Sequence, residues 1–152
     1  METSLFQIRQ RESFGFSAEN PTGTREGGTH AKDCEKLRPC IDIEPGETVV
    51  LCDTDGPGMI THIWFTGYVG HSFVMRIYWD NEFPSVEAPI SAFFGCAYDE
   101  NFKDRDGKYV VLNAATMLTA PGRGYNSYWE MPFYKHCKIT MENRGEQKQT
   151  LF

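Results

Sequence analysis

In the segment His71–Asp80, HSFVMRIYWD, Phe73, Met75, Ile77 and Trp79 fall on one face and Val74, Arg76, Tyr78 and Asp80 on the other. A period of two with a mostly apolar face predicts a β-strand lying on a core. Cys137–Glu142 repeats the pattern, with Cys137, Ile139 and Met141 opposed to Lys138, Thr140 and Glu142. Glu47–Asp53 (ETVVLCD) and Met59–Thr66 (MITHIWFT) read as two more strands, joined by the Gly- and Pro-bearing turn Thr54–Gly58 (TDGPG). Pro45-Gly46 marks a turn before the first of them. Lys108–Leu112, Ala115–Thr119 and Tyr125–Met131 are further predicted strands. Helical spacing is confined to His30–Leu37, two turns through Ala31, Cys34 and Leu37, and to one turn at Ile90–Phe94.

Composition strengthens this picture. Val, Ile and Thr together number 27 of 152 residues, against 6 Leu and 8 Ala. Their branched side chains are stiff at χ1 and suit a pleated surface. With 14 Gly and 8 Pro to supply turns, the sequence predicts an all-β chain, a β-sandwich or a jelly roll. Two polar loops interrupt it, Ser17–Gly28 (SAENPTGTREGG) and Tyr98–Gly107 (YDENFKDRDG). After Cys137–Glu142 a polar turn, Asn143–Gln149, leads to Thr150-Leu151-Phe152, which reads as the first residues of one more strand. Residues 1–152 are therefore expected to form a single domain, incomplete at its C-terminus. Cys137–Glu142 is expected to keep an unpaired edge, an association hazard.

Charge and cysteine usage exclude several classes. A formal net charge of −6, without a run of Lys or Arg, argues against nucleic acid as a partner. The apolar runs are too short to span a bilayer. The N-terminus, METSLFQIRQRESF, lacks the apolar segment of a signal peptide, so no membrane partner and a cytoplasmic location are expected. Cys34, Cys40, Cys52, Cys96 and Cys137 form an odd, widely spaced set. Reduced thiols, mostly buried, are the expectation. His30, His62, His71 and His136 are too dispersed to suggest a metal site. Neither a GxxxxGK loop nor a GxSxG elbow occurs. No metal and no cofactor are expected.

The stretch Gly122–Phe133, GRGYNSYWEMPF, carries the candidate chemistry. Sugars present C–H faces to aromatic rings and hydroxyls to convergent polar groups. Alternation puts Asn126, Tyr128 and Glu130 on one face, the better surface, and Tyr125, Ser127 and Trp129 on the other, with Trp129 as a core anchor. Gly122 and Gly124 would let the loop approach another backbone closely. Trp64, beside His62, is expected to pack in the core. Glu19 and Asn20 sit in a polar loop bounded by Gly27-Gly28, where function is common. The candidate substrate-binding residues are thus Asn126, Tyr128, Glu130, Trp129, Trp64, Glu19 and Asn20. Among the acids, Asp80 reads as a solvated turn residue and Glu87 as an exposed or salt-bridged strand position; Glu130 is the most interesting of the three.

Five stretches in order, SAENPTGTREGG, CIDIEPGETVVLCDTDGPGMITHIWFT, MRIYWDNEFPSVEAPISAFFG, GRGYNSYWEMPF and ITMENRGE, resemble the N-terminal half of the DUF2961 proteins, grouped as glycoside hydrolase family 172. The resemblance runs from about Phe14 to the last residue. It implies the first of two tandem jelly rolls, in proteins that act as retaining hydrolases or transglycosylases on furanosides of D-fructose or D-arabinose. It also implies assembly of the full-length protein as a homo-trimer or hexamer. The family's catalytic carboxylates lie in its second half, in stretches resembling WWGEGD and GTGTEDYFG, which this chain does not hold; no catalytic residue is expected within it. The rival expectation is a non-catalytic sandwich that binds carbohydrate or mediates assembly.

Overall fold

The computed structural model describes residues 10–28, 36–96 and 102–152. Sheet I is antiparallel and runs β2 (Thr48–Asp55), β11 (His136–Asn143), β5 (Phe73–Trp79), β6 (Val86–Pro89). Sheet II runs β4 (Ile63–Phe65), β9 (Gly124–Ser127), β8 (Met117–Ala120), β7 (Leu112–Ala114). Two ribbons complete the fold, β1 (Ile41–Ile43) with β12 (Gln149–Leu151), and β3 (Gly58–Ile60) with β10 (Met131–Phe133). The described helix is one turn, α1 (Ile90–Phe93).

The predicted inner face of β5 is real: Phe73, Met75 and Ile77 are fully buried, and Trp79 is half-buried. Opposite them on β11 stand Met141, Ile139 and Cys137, also buried. Sheet II answers with Ile63, Phe65, Tyr125 and Met117, which join the same core cluster. Phe94, just after α1, fills the space between, edge-on to Phe65 and Tyr125 at 6.1 and 5.8 Å. Two facing sheets with alternating inner positions make this a β-sandwich. Cys52 and Cys137 are buried free thiols, Cys96 is buried and Cys40 is half-buried; Cys34 lies outside the described residues.

Three strand predictions need correction. Met59–Thr66 is two strands, β3 and β4, in different sheets. Tyr125–Met131 likewise divides into β9 and β10. The two breaks are one event: β3 pairs with β10 up to Ile60↔Met131, and pairing resumes in sheet II at Ile63↔Ser127. Between these pairs Thr61 and His62 oppose Tyr128, Trp129 and Glu130, an unequal count that bends the double strand around a corner between layers. Lys108–Leu112 is mainly loop, with an isolated bridge from Lys103 to Tyr109, and β7 begins only at Leu112.

The expected open edge is absent as well. β11 is interior, with β2 on one side and β5 on the other along its whole length. Residues 149–151 form a paired strand, in register with β1 from Ile41↔Leu151 to Ile43↔Gln149. Further backbone hydrogen bonds tie Thr66 to Phe152 and Tyr68 to Thr150. The predicted helix at His30–Leu37 falls mostly outside the described residues, as does the start of the Tyr98–Gly107 loop.

Candidate functional site

The corner where the chain passes from ribbon to sheet II collects most of the residues singled out from sequence. Trp64 on β4 lies opposite Asn126 on β9, which lies opposite Leu118 on β8 and then Asn113 on β7, a single outward row across sheet II. Trp64 is 47% exposed, so it is not the core residue expected. Its neighbour Ile63 takes the inward position instead. Gly124 makes room for the indole: a Cβ there would stand 3.1 Å from Trp64 Nε1. The close approach is thus to a side chain rather than to another backbone. Gly122, at φ 74°, likewise faces the Tyr109 ring.

At the corner itself, His62 and Tyr128 stack face to face, centroids 4.8 Å apart and planes 5° from parallel. His62 Nε2 is 3.1 Å from Asn126 Oδ1. The Tyr128 hydroxyl donates to the same oxygen at 3.5 Å, and Asn126 Nδ2 donates to the Leu118 carbonyl at 3.4 Å. Trp129 does not anchor the core, because strand alternation stops at Ser127 and the corner turns the next three residues outward. It is 48% exposed, donates its indole N–H to Thr116 Oγ1, and leans on Phe93 at 6.3 Å. The Tyr128 backbone N–H bonds the Thr116 carbonyl at 2.8 Å, fixing the corner on the β7–β8 turn. Glu130 is exposed and has no hydrogen-bond or ion-pair partner among the described residues.

Glu19 and Asn20 stand apart from the corner. Asn20 donates both amide hydrogens inside its own loop, to the carbonyls of Gly15 at 3.0 Å and Thr24 at 2.9 Å. Glu19 Oε1 accepts the Leu37 backbone N–H at 2.7 Å, which clamps this loop to the segment before β1. The clamp roofs a cleft of about 350 Å³. Val49, Leu51 and Phe65 line it with apolar surface, beside Glu19, Arg38 and Trp64. Trp64 therefore borders both the corner and the cleft, and Glu19 reaches only the cleft.

The other acids have structural duties. Asp80, at φ 59°, is not merely a solvated turn residue. Its carboxylate accepts the backbone N–H groups of Tyr134, Lys135 and His136 at 2.5–3.0 Å, which hold it below the usual carboxylate range. Glu87 is the salt-bridged strand position expected, 2.8 Å from Arg76 Nε. No group of three or more His, Cys, Asp or Glu among the described residues is placed to hold a metal ion. No described helix is long and apolar enough to cross a membrane.

Sequence reasoning missed His62 and Thr116. The signal for His62 was present, since Thr61-His62 is the one polar interruption of MITHIWFT and coincides with the sheet switch. Thr116 carried no comparable sign. Chemically, the corner offers rings and oriented N–H groups to a hydroxylated ligand. A family model described as the GH172 first beta-sandwich domain matches residues 5–152. No curated protein matches the chain.

Proposed function

The chain belongs to glycoside hydrolase family 172, as its first β-sandwich domain, and from that membership we propose that it forms the sugar-contacting N-terminal part of a retaining hydrolase or transglycosylase acting on furanosides. The substrate class is D-fructofuranosides or D-arabinofuranosides, and the chain is inactive by itself. The observation supporting this reading is the corner cluster, where Trp64, Asn126 and Tyr128 converge with His62. A retaining enzyme needs two carboxyl groups about 5–5.5 Å apart on one scaffold, one as nucleophile and one as acid/base. Asp80 and Glu87 are committed to backbone N–H groups and to Arg76, and Glu130 stands without a partner carboxyl in the corner cluster. The same reading has the full-length protein assemble as a homo-trimer or hexamer.

The test has two arms. Purified chain incubated with p-nitrophenyl α-D-arabinofuranoside and with difructose anhydrides should release no product, while tryptophan fluorescence titrated with methyl furanosides should saturate. Turnover above a blank that disappears in Glu130→Ala or Asp80→Ala would place the catalytic pair in this domain and overturn the reading.

A further inference from the structure

The corner cluster has a hydrogen-bond direction that can be read from one fixed point, the Leu118 carbonyl. A carbonyl only accepts, so the group of Asn126 that faces it at 3.4 Å is the amide nitrogen. The amide oxygen then faces His62 and Tyr128, and it accepts from both. His62 Nε2 is therefore the donor, and in the neutral imidazole that leaves Nδ1 as the acceptor. The stacked Tyr128 ring holds the imidazole plane in place. Three groups at the exposed corner then remain without a partner among the described residues. They are the second N–H of Asn126, the indole N–H of Trp64 and the acceptor Nδ1 of His62.

Two donors and one acceptor beside an exposed indole are the complement of a sugar ring with neighbouring hydroxyls. One hydroxyl accepts from Asn126 while the next donates to His62, and a C–H face covers Trp64. A site of aromatic rings alone would hold a deoxy ring as well as a hydroxylated one. A hydrogen bond to an oriented acceptor that only the hydroxylated ring can make favours that ring over its deoxy analogue.

Resting on the furanoside reading above, we propose that His62 is a specificity-determining residue of this domain. It selects, through Nδ1, furanosides with a vicinal hydroxyl pair, with Asn126 as the paired donor and Tyr128 as the positioning residue.

The experiment is an amide- and indole-resolved NMR titration of the ¹⁵N-labelled chain with methyl α-D-arabinofuranoside and with its 2-deoxy analogue. In the native chain the Trp64 indole and Asn126 side-chain signals should move, and the hydroxylated sugar should bind about tenfold more tightly than the deoxy one. His62→Phe keeps a ring on Tyr128 but has no acceptor, and it should bring the two affinities within about twofold. His62→Gln restores a carbonyl acceptor and should recover part of the preference. A structural role would weaken both sugars together and leave their ratio standing, so an unchanged ratio in His62→Phe overturns the inference. Should His62→Phe fail to fold, the Gln variant decides: a retained preference supports the acceptor role, and a complete loss in a well-dispersed spectrum overturns it. Binding with shifts far from Trp64 and Asn126 overturns this inference but leaves the furanoside reading intact. No binding of either sugar overturns both.

Discussion

On the outer face of sheet I, Arg76 on β5 bonds Glu87 on β6 and Glu142 on β11, each at 2.8 Å, and Arg144 joins Glu142 at 3.1 Å. On β2, Asp53 takes His136 at 2.8 Å and Lys138 at 3.9 Å. The matching row on sheet II, Trp64–Asn126–Leu118–Asn113, contains no ion pair among the described residues. Both faces cover the same core, and both consist of side chains that alternation points away from it. The difference is in what each face leaves over. Cross-strand charges on sheet I answer one another within the sheet, which stabilises the pairing. Sheet II instead leaves an indole, a leucine and oriented N–H groups facing outward. Sheet I answers its charges internally, although the buried Thr140 hydroxyl there has no partner, and the outward groups of sheet II are those on which the proposed sugar contact rests.

Removing Arg76 should separate the two roles most sharply. Arg76 is largely covered, at 15% side-chain exposure, and Arg76→Ala strands two carboxylates that it bridges. Urea unfolding should show a loss of about 2 kcal/mol, the scale of charge-assisted hydrogen bonds. Sugar affinity should stay unchanged. A loss below about 0.5 kcal/mol, typical of a neutral surface change, would mean that the network contributes little.

Trp64→Ala should do the reverse. Affinity for the methyl furanoside should fall about tenfold, equivalent to about 1.4 kcal/mol. Stability should move by no more than about 0.5 kcal/mol, because the indole is half in solvent. If unfolding shifts as much as for Arg76→Ala, Trp64 is a packing residue and the contrast between the faces collapses.

Acid should weaken the charge network of sheet I. The Arg76 hydrogen bond holds Glu142 below its ordinary value of 4.5. A depressed folded pKa contributes stability that is complete above the unfolded value and is lost as pH falls through the folded one. Denaturation midpoints should therefore decline from about pH 4.5 downward in the native chain, and that decline should be shallower in Arg76→Ala. Asp80 has the same sign, lowered from 3.8 by three backbone N–H groups, and its contribution should survive in Arg76→Ala. A pH profile identical in the two proteins would remove Glu142 from the account. The smallest effect belongs to Leu118→Ala, which is expected to change stability by less than about 0.5 kcal/mol and sugar affinity by less than twofold. A larger affinity change would extend the binding surface across sheet II toward Asn113.

The sheet class was legible because period-two alternation reports which face is buried, and β5 and β11 carry it without interruption. The corner was harder to read. A strand that changes sheets keeps its hydrophobic run, as MITHIWFT does, while its facing direction resets. Trp129 was misassigned for this reason: counting by twos from Tyr125 works only as far as Ser127. Trp64 was misassigned for a related one, since its large apolar side chain suggested burial while Ile63 held the inward position. Asn126 and Tyr128 stand out in the sequence because they sit where aromatic and amide groups are dense. Their partner His62 comes from a segment 64 positions away, and that pairing becomes visible only when β4 and β9 are in register.

The β1–β12 ribbon has a consequence for how the molecule is made. Its side-chain link from Thr150 to Asp42 spans 108 positions, and Asn143 donates to the Ile43 carbonyl across 100. During synthesis β1 leaves the ribosome roughly 5 to 20 s before the residues that pair with it, at about 5–20 residues per second. Throughout that interval Ile41 and Ile43 have no native strand partner, and closing so large a loop makes this pairing slow on topological grounds. Released chains ending before residue 149 should therefore be cleaved by protease around Ile41–Ile43, whereas the 152-residue chain should resist.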